Sequence, residues 1–140
     1  MDILTKLNEL NLNPDNSVVN GSGVLNALGI RLSGDVDLVV PVTVYSELEQ
    51  TDRFNRGQSY GREVLTDGLL EIGTSWEVLG KDQTYDDLAQ NSLIIAGVRY
   101  TSLDFLLAVK RSWLDGDDVR QKDIDDVELI EKYLAAQPNK

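Results

Sequence analysis

The segment from Gly34 to Pro41 places two aspartates in an otherwise apolar stretch, and it restricts the fold more than any other part of the chain. Asp35 and Asp37 alternate with aliphatic residues, which is the pattern of a strand with one buried face. Their carboxylates share a face and lie about 7 Å apart along the strand. Aspartate is disfavoured in strands, and such departures concentrate at functional sites. The segment therefore predicts either a cation site or a solvated edge strand.

A third carboxylate, Glu71, lies in a second apolar segment, 69–73. If that strand neighbours the first, Glu71 completes a three-carboxylate site of the kind that holds Mg²⁺ bound to substrate phosphates. A strand residue that faces solvent is the alternative, and Glu77 is the next acidic candidate. The sequence contains neither cysteine nor histidine, which excludes thiolate sites, histidine-based triads and nearly every zinc site. Any metal is therefore expected to be a hard cation held by oxygen atoms.

A glycine-rich turn of Gly21, Ser22 and Gly23 joins a short apolar strand to a predicted helix over 24–28. Its backbone amides and the helix N-terminus are suited to phosphate oxygens. The dinucleotide fingerprint is excluded because Asn26 occupies its third glycine position, and the P-loop is excluded because no Gly-Lys-Ser/Thr follows. A tight turn without a ligand is the alternative interpretation.

An apolar helix is predicted from Ser102 to Trp113, with Lys110 on its leucine-rich face. A lysine in that position needs a carboxylate or phosphate partner, or must extend to solvent. The sequence leaves two roles open for it. One is a structural salt bridge with Asp123 or Asp126 of the last helix, and the other is a phosphate contact in an active site.

The remaining periodicity predicts a mixed architecture. Helices are predicted over 2–10, 42–49 (capped by Thr43), 84–90 and 119–135, besides the two described above. Strands are predicted over 17–20, 35–40, 63–66, 69–73, 76–79 (extending the same sheet), 92–95 and 98–100. Residues 51–61 are predicted to form a loop, and Asp67 with Gly68 a hairpin turn.

The fold class is α+β, mixed with α/β, with a small mixed sheet flanked by helices and two C-terminal helices. One domain over 1–140 is predicted, with its core at about 17–100 and its C-terminal helices at about 102–136.

The chain is acidic, with 24 acidic and 13 basic residues and a net charge of −11. This charge opposes non-specific DNA binding and binding to anionic membrane surfaces. No apolar stretch approaches the roughly 20 residues of a membrane span, and the first residues lack the pattern of a signal peptide. The expectation is a cytoplasmic protein without membrane association.

These features together resemble the nucleotidyltransferase superfamily, which has the polymerase-β-like fold. The resemblance is greatest to its small bacterial members, the minimal nucleotidyltransferases and the toxins of abortive-infection toxin–antitoxin pairs. The family pattern runs from an apolar strand and a glycine-serine turn to Asp-x-Asp in a second strand. The strand and turn read Val18-Val19-Asn20-Gly21-Ser22-Gly23 in this chain. The second part reads Gly29-Ile30-Arg31-Leu32-Ser33-Gly34-Asp35-Val36-Asp37-Leu38-Val39-Val40. An Arg-x-Lys-Asp-x-x-Asp segment, 120–126, follows the helix that carries Lys110, as it does in these proteins.

The resemblance implies an enzyme that uses Mg²⁺ or Mn²⁺ to move a nucleoside monophosphate from an NTP to a hydroxyl group. It implies that Asp35, Asp37 and Glu71 are the catalytic and metal-binding residues, with Glu71 as base or second-metal ligand. The nucleotide contacts that it implies are Gly21, Ser22, Gly23, Arg31, Ser33 and Lys110. The acceptor stays open among a protein side chain, an RNA 3′ end and a small molecule, and an antitoxin-like protein is a candidate partner. Two alternatives remain: an inactive module of this fold that acts through a partner, and an unrelated α+β protein with an incidental aspartate pair.

Overall fold

A computed structural model describes residues 3–32, 34–59 and 61–137. The helices of this part of the chain are α1 (Ile3–Glu9), α2 (Gly23–Ala27), α3 (Val42–Glu49), α4 (Tyr85–Ala89), α5 (Leu103–Leu114) and α6 (Gln121–Ala136). Its strands are β1 (Val18–Asn20), β2 (Val36–Val39), β3 (Asn55–Ser59), β4 (Arg62–Thr66), β5 (Leu70–Gly73), β6 (Ser75–Val78), β7 (Lys81–Thr84), β8 (Ser92–Ile95) and β9 (Val98–Thr101).

Seven strands form one mixed sheet in the order β3-β4-β5-β2-β1-β9-β8. The central strand β2 runs parallel to β5 and antiparallel to β1. Strand β1 runs parallel to β9 on its other side, and β4 and β5 form the predicted hairpin around Asp67 and Gly68. The predicted α+β class, with a mixed sheet and two C-terminal helices, is confirmed. The assignment of residues 1–140 to one domain stays a prediction.

The side chains of β1 and β2 alternate between two faces of the sheet. Val19 and Leu38 point into the main core, which α1, α2, α3, α5 and α6 complete. Val18 and Val39 point to the opposite face and pack with buried residues of α4. Leu38 and Val40 are buried in the main core as predicted. The polar residues of β1 and β2 that alternate with Val19 and Leu38 therefore lie on the α4 face.

The loop predicted over 51–61 was wrong, because β3 lies within this segment. All five residues of β3 pair with β4, and the strand forms one edge of the sheet. Its sequence, Asn-Arg-Gly-Gln-Ser, is polar and mostly exposed. Backbone pairing rather than burial defines such an edge strand, so no apolar alternation marks it in the sequence.

Two further local predictions were wrong. Strand β6 does not extend the main sheet but pairs with the polar strand β7 in a separate two-stranded sheet. Helix α3 is not capped by Thr43; it begins at Val42 after Pro41, whose φ of −61° suits a helix start. Helix α5 is capped by Ser102, one of two candidate caps with Thr101, and the Ser102 hydroxyl accepts a hydrogen bond from the Phe105 N–H. Within the described ranges, no helix is long and apolar enough to cross a membrane.

Candidate active site

A row of polar side chains crosses the centre of the sheet. Asn20 on β1 lies opposite Asp37 on β2, and Asp37 lies beside Glu71 on β5. Thr66 on β4 pairs with Glu71 at the outer end of the row. Residues paired across neighbouring strands share a face, with Cβ atoms about 5 Å apart. The two acidic strands are neighbours, which is the condition that the sequence set for Glu71, and Asp37 and Glu71 lie side by side.

Asp37 has an unusual electrostatic environment. Burial raises its pKa, and a hydrogen bond with Glu71 together with the charges of Glu71 and Asp35 raises it further, to about 7. The positive charge of Lys122 lowers this pKa. Carboxylates held this close stay ionised together only if a cation lies between them. Without a cation, one of them keeps a proton. At neutral pH the site therefore has an excess of negative charge that a cation would neutralise.

The turn after β1 approaches the same carboxylate. Gly21 has a φ of +69°, in the left-handed region that favours glycine, and a Cβ there would lie 3.2 Å from Asp37 Oδ2. Gly23 begins α2, and a Cβ there would lie 2.6 Å from Val19 Cγ1. Glycine at position 21 thus brings the turn against Asp37, and glycine at position 23 brings α2 against β1.

An open cleft of about 1240 Å³ lies over this end of the sheet. Its floor includes Asn20, Asp37 and Glu71 together with the turn residues Gly21 and Ser22. Its other charged lining residues are Glu49, Arg62, Glu63, Glu77, Lys110, Asp117, Asp118, Arg120, Lys122 and Asp123, and its aromatic ones are Tyr45, Trp76 and Trp113. A smaller cavity of about 200 Å³ shares Asp37 and Glu71 with the cleft and is also lined by Asp35.

The acidic residues have the chemistry of a hard-cation site. Asp35, Asp37 and Glu71 line one small cavity, and carboxylate oxygens are preferred ligands of Mg²⁺. Across residues 3–32, 34–59 and 61–137, however, no group of three carboxylates is arranged to hold a metal ion by itself. The metal site predicted from the sequence therefore stays a prediction.

Lys110 belongs to a buried ion-pair network in the wall of the cleft. Its Nζ lies 3.2 Å from Asp123 Oδ1 and 2.9 Å from Asp126 Oδ2, and no side chain of the three is more than 5% exposed. Arg31 donates to both oxygens of Asp126, at 2.6 and 2.8 Å. Burial raises the pKa of Asp126, but hydrogen bonds from Arg31 and Lys110 outweigh this and lower the pKa below its ordinary value. The structure thus contains the salt bridge that the sequence left open for Lys110, with both predicted partners.

The structure distributes the predicted site residues over several positions. Five of them line the large cleft: Gly21, Ser22, Asp37, Glu71 and Lys110. Asp35 is exposed and lines the smaller cavity. Gly23 is buried at the start of α2, and the guanidinium of Arg31 is bound to Asp126. Ser33 lies outside the described residues. The roles of these residues in nucleotide binding stay predictions.

Two residues of the cleft were missed by sequence reasoning. Lys122 is exposed in the first turn of α6, lines the cleft, and lowers the pKa of Asp37 through its charge. Its signal was the basic pair of Arg120 and Lys122 directly before the buried Asp123. Asn20 is 5% exposed at the end of β1, and its signal was a polar residue that closes an apolar strand.

Solved structures of similar shape identify the fold. The crystal structure of ANT(2'')-Ia in complex with adenylyl-2''-tobramycin matches with a TM-score of 0.57 and 20% identity, over 94% of this chain and 85% of that one. The Megavirus polyadenylate synthase matches with a TM-score of 0.64 and 14% identity, over 98% of this chain and 32% of that one. An antigenic nucleotidyltransferase-like protein from Paracoccidioides brasiliensis gives a TM-score of 0.52 and 18% identity, over 97% and 74%.

The chain has a nucleotidyltransferase fold. The resemblance drawn from the sequence is thereby confirmed at the level of the fold. No family model matches the sequence, and no curated protein matches it. Identities of 14–20% carry the fold but not the activity.

Proposed function

We propose that this chain is a nucleotidyltransferase that moves a nucleoside monophosphate from an NTP to a hydroxyl group, with Mg²⁺ as its cofactor. One observation carries the proposal. The carboxylate pair of Asp37 and Glu71 lies against the turn of Gly21 and Ser22 on the floor of one open cleft. In a nucleotidyltransferase fold, this arrangement puts cation-binding and phosphate-binding groups next to each other.

Phosphate binding is assigned to the turn and to Lys122. The backbone amides around Gly21 and Ser22 are suited to the β- and γ-phosphates, since successive N–H groups in a turn create a local positive field. Lys122 lies in the same cleft and acts on Asp37, so its ammonium group can neutralise phosphate charge beside the carboxylates. Lys110 is held by Asp123 and Asp126, and it contributes by fixing the wall between α5 and α6.

The transfer step follows from these positions. Asp35, Asp37 and Glu71 would hold Mg²⁺, which when bound stabilises the charge that develops on the α-phosphate. The acceptor oxygen forms a bond to the α-phosphorus while the bond to the oxygen that bridges the α- and β-phosphates breaks, and pyrophosphate leaves. Glu71 takes the hydroxyl proton as general base. The aromatic side chains of Trp76 and Trp113 meet edge to face at 6.3 Å in the cleft wall.

Among the open acceptor classes, the cleft favours a small cationic molecule over RNA. Glu49, Glu63 and Glu77, on α3, β4 and β6, make part of the cleft wall acidic, and so do Asp117 and Asp118 between α5 and α6. Such a wall repels a polyanion and attracts amines. One of the similar structures contains an adenylylated tobramycin, which is an amine-rich sugar. Comparison of aminoglycosides with an RNA oligonucleotide as acceptors tests this assignment, and preferential labelling of the RNA would contradict it.

The experiment that tests the activity is labelling with each α-³²P-NTP in Mg²⁺ or Mn²⁺, with pyrophosphate release followed in parallel. Wild type is compared with Asp35→Asn and Asp37→Asn. Metal-dependent pyrophosphate release that both substitutions abolish is the expected result. Metal-dependent nucleotide binding without pyrophosphate release would favour the inactive module instead. An antitoxin-like partner, a bacterial origin and a cytoplasmic location stay predictions.

A further inference from the structure

Asn20 is a buried side chain with an unsatisfied acceptor. It is 5% exposed and lines the floor of the cleft. Within the described residues, its Oδ1 has no hydrogen-bond partner. Most buried polar side-chain atoms in proteins are paired, so an unpaired oxygen on a residue that lines the cleft requires an explanation.

The position of Asn20 narrows the choice of ligand. It lies directly opposite Asp37 in the antiparallel pair of β1 and β2, and Glu71 follows on β5, so the three side chains share one face. A phosphate oxygen cannot satisfy a carbonyl oxygen, because both are acceptors. A cation can bind the carbonyl oxygen and the carboxylates together, since Mg²⁺ and Mn²⁺ accept carboxylate and amide oxygens alike. Among the described residues, no three acidic side chains are arranged to hold a metal ion by themselves.

We propose that Oδ1 of Asn20 is a neutral ligand of a divalent cation that binds between Asp37 and Glu71. This inference rests on the proposed function only in placing a cation at these carboxylates. It adds a ligand from β1, which lies on the other side of β2 from the strand that carries Glu71. A neutral oxygen at this point completes the coordination without adding a negative charge to a site where Asp37 is already crowded by carboxylates.

A second orphaned oxygen provides a matched control. Strands β1 and β9 run parallel with Val19 beside Tyr100, so one residue further along Asn20 lies beside Thr101. Thr101 is fully buried, its Oγ1 has no hydrogen-bond partner among the described residues, and it is absent from the lining of either cavity. Thr101→Val therefore removes a comparable unpaired atom that is closed off from the cleft.

The test measures Mn²⁺ binding to the full chain without nucleotide, by electron paramagnetic resonance, together with thermal unfolding in EDTA. We expect Asn20→Leu to weaken Mn²⁺ binding by at least about tenfold. We expect it to melt no lower than wild type in EDTA, because removal of an unpaired buried polar group is neutral or stabilising. Thr101→Val should keep the Mn²⁺ affinity of wild type. Asn20→Asp should keep or increase it while melting lower in EDTA, since a carboxylate is also a ligand.

Three outcomes would overturn the inference: wild-type Mn²⁺ affinity in Asn20→Leu, equal losses in Asn20→Leu and Thr101→Val, or loss of binding in Asn20→Asp. If Leu proves too large for the site, Asn20→Ala gives the same comparison. The result is separable from the proposed activity. Weakened Mn²⁺ binding in Asn20→Leu supports the ligand role even if no pyrophosphate is released, and unchanged binding removes that role even if transfer is observed.

Discussion

Asp37 and Glu71 lie side by side on the parallel strands β2 and β5 and share a hydrogen bond at the centre of the sheet. Two carboxylates in this position destabilise each other when both are ionised. A bound cation makes the pair favourable, because both carboxylates then interact with the positive charge of the cation. The pair therefore lowers the stability of the metal-free protein and favours the metal-bound state. This combination is expected of a binding site rather than of a structural core.

Replacement of Asp37 by asparagine separates these two effects. We expect Asp37→Asn to lose at least about 100-fold in nucleotidyl transfer, since it removes a charge that acts at the reacting phosphate. In EDTA at about pH 8 the same variant should gain on the order of 1–3 kcal/mol of stability, because it no longer ionises beside Glu71. Asp35→Asn is the control, since Asp35 is exposed, and its stability should change by less than about 0.5 kcal/mol. Thermal unfolding and pyrophosphate release measure the two effects. A lower melting temperature for Asp37→Asn would contradict the prediction.

A pair of glycines tests the close approach of the turn to Asp37. Gly21 and Gly29 have nearly equal φ values, +69° and +72°, so alanine at either should cost about 1–2 kcal/mol of stability. Only at Gly21 does the new Cβ meet Asp37 Oδ2, at 3.2 Å; at Gly29 it meets nothing within 4 Å. We expect both variants to melt lower and only Gly21→Ala to lose binding of NTP with Mg²⁺ by calorimetry. Equal affinities in the two variants would place the phosphates elsewhere.

The fold could be predicted from the sequence where the burial of one face of an element produces a periodic pattern of apolar residues. Strand β2 alternates apolar and acidic residues, and α5 carries a continuous leucine-rich face, so both were predicted close to their observed bounds. Strands β3 and β7 read Asn-Arg-Gly-Gln-Ser and Lys-Asp-Gln-Thr. They are held by backbone pairing at exposed positions, which leaves no periodic signal.

The acidic residues of the site were predicted from the sequence, but Asn20 and Lys122 were not. Asp37 and Glu71 stood out because acidic residues break an apolar strand. Asn20 did not, because a polar residue at a strand end is common and only the register reveals that it faces Asp37. Asp123 and Asp126 were predicted as candidate partners of Lys110, and both are buried against it, because a buried lysine requires carboxylate partners.

Lys122 is expected to bind phosphate without supporting the fold. It is exposed, lines the cleft and acts electrostatically on Asp37. We expect Lys122→Gln to weaken NTP binding about 10- to 100-fold, which is the effect of losing one charge-assisted hydrogen bond. Its melting temperature should match wild type. Lys132→Gln, at an exposed position on the same helix outside the cleft lining, should leave both quantities unchanged. A loss of affinity shared by the two variants would indicate only a general effect of net charge.

Asp126 is expected to dominate the stability of the C-terminal helices. It is 1% exposed and binds both Lys110 and Arg31, so Asp126→Asn leaves Arg31 without its carboxylate and leaves the buried Lys110 with Asp123 alone. We expect a loss of about 3–5 kcal/mol in the free energy of unfolding, as for other broken buried ion pairs. Asp125→Asn is the matched control, because Asp125 is exposed and bonds only to Gln121 among the contacts of the described chain. Urea unfolding measures both, and equal stabilities for the two variants would contradict the prediction.

The same network sets a pH dependence whose sign follows from Asp126. Its pKa is lowered in the folded state, because the bonds from Arg31 and Lys110 outweigh the effect of burial. Its contribution to stability is therefore complete above the unfolded pKa of about 3.9 and is lost as the pH falls through the lower folded value. The difference in unfolding free energy between wild type and Asp126→Asn should be constant above about pH 5 and shrink below about pH 4. Urea titrations across this range measure it, and a difference that stays constant in acid would remove Asp126 as the titrating group.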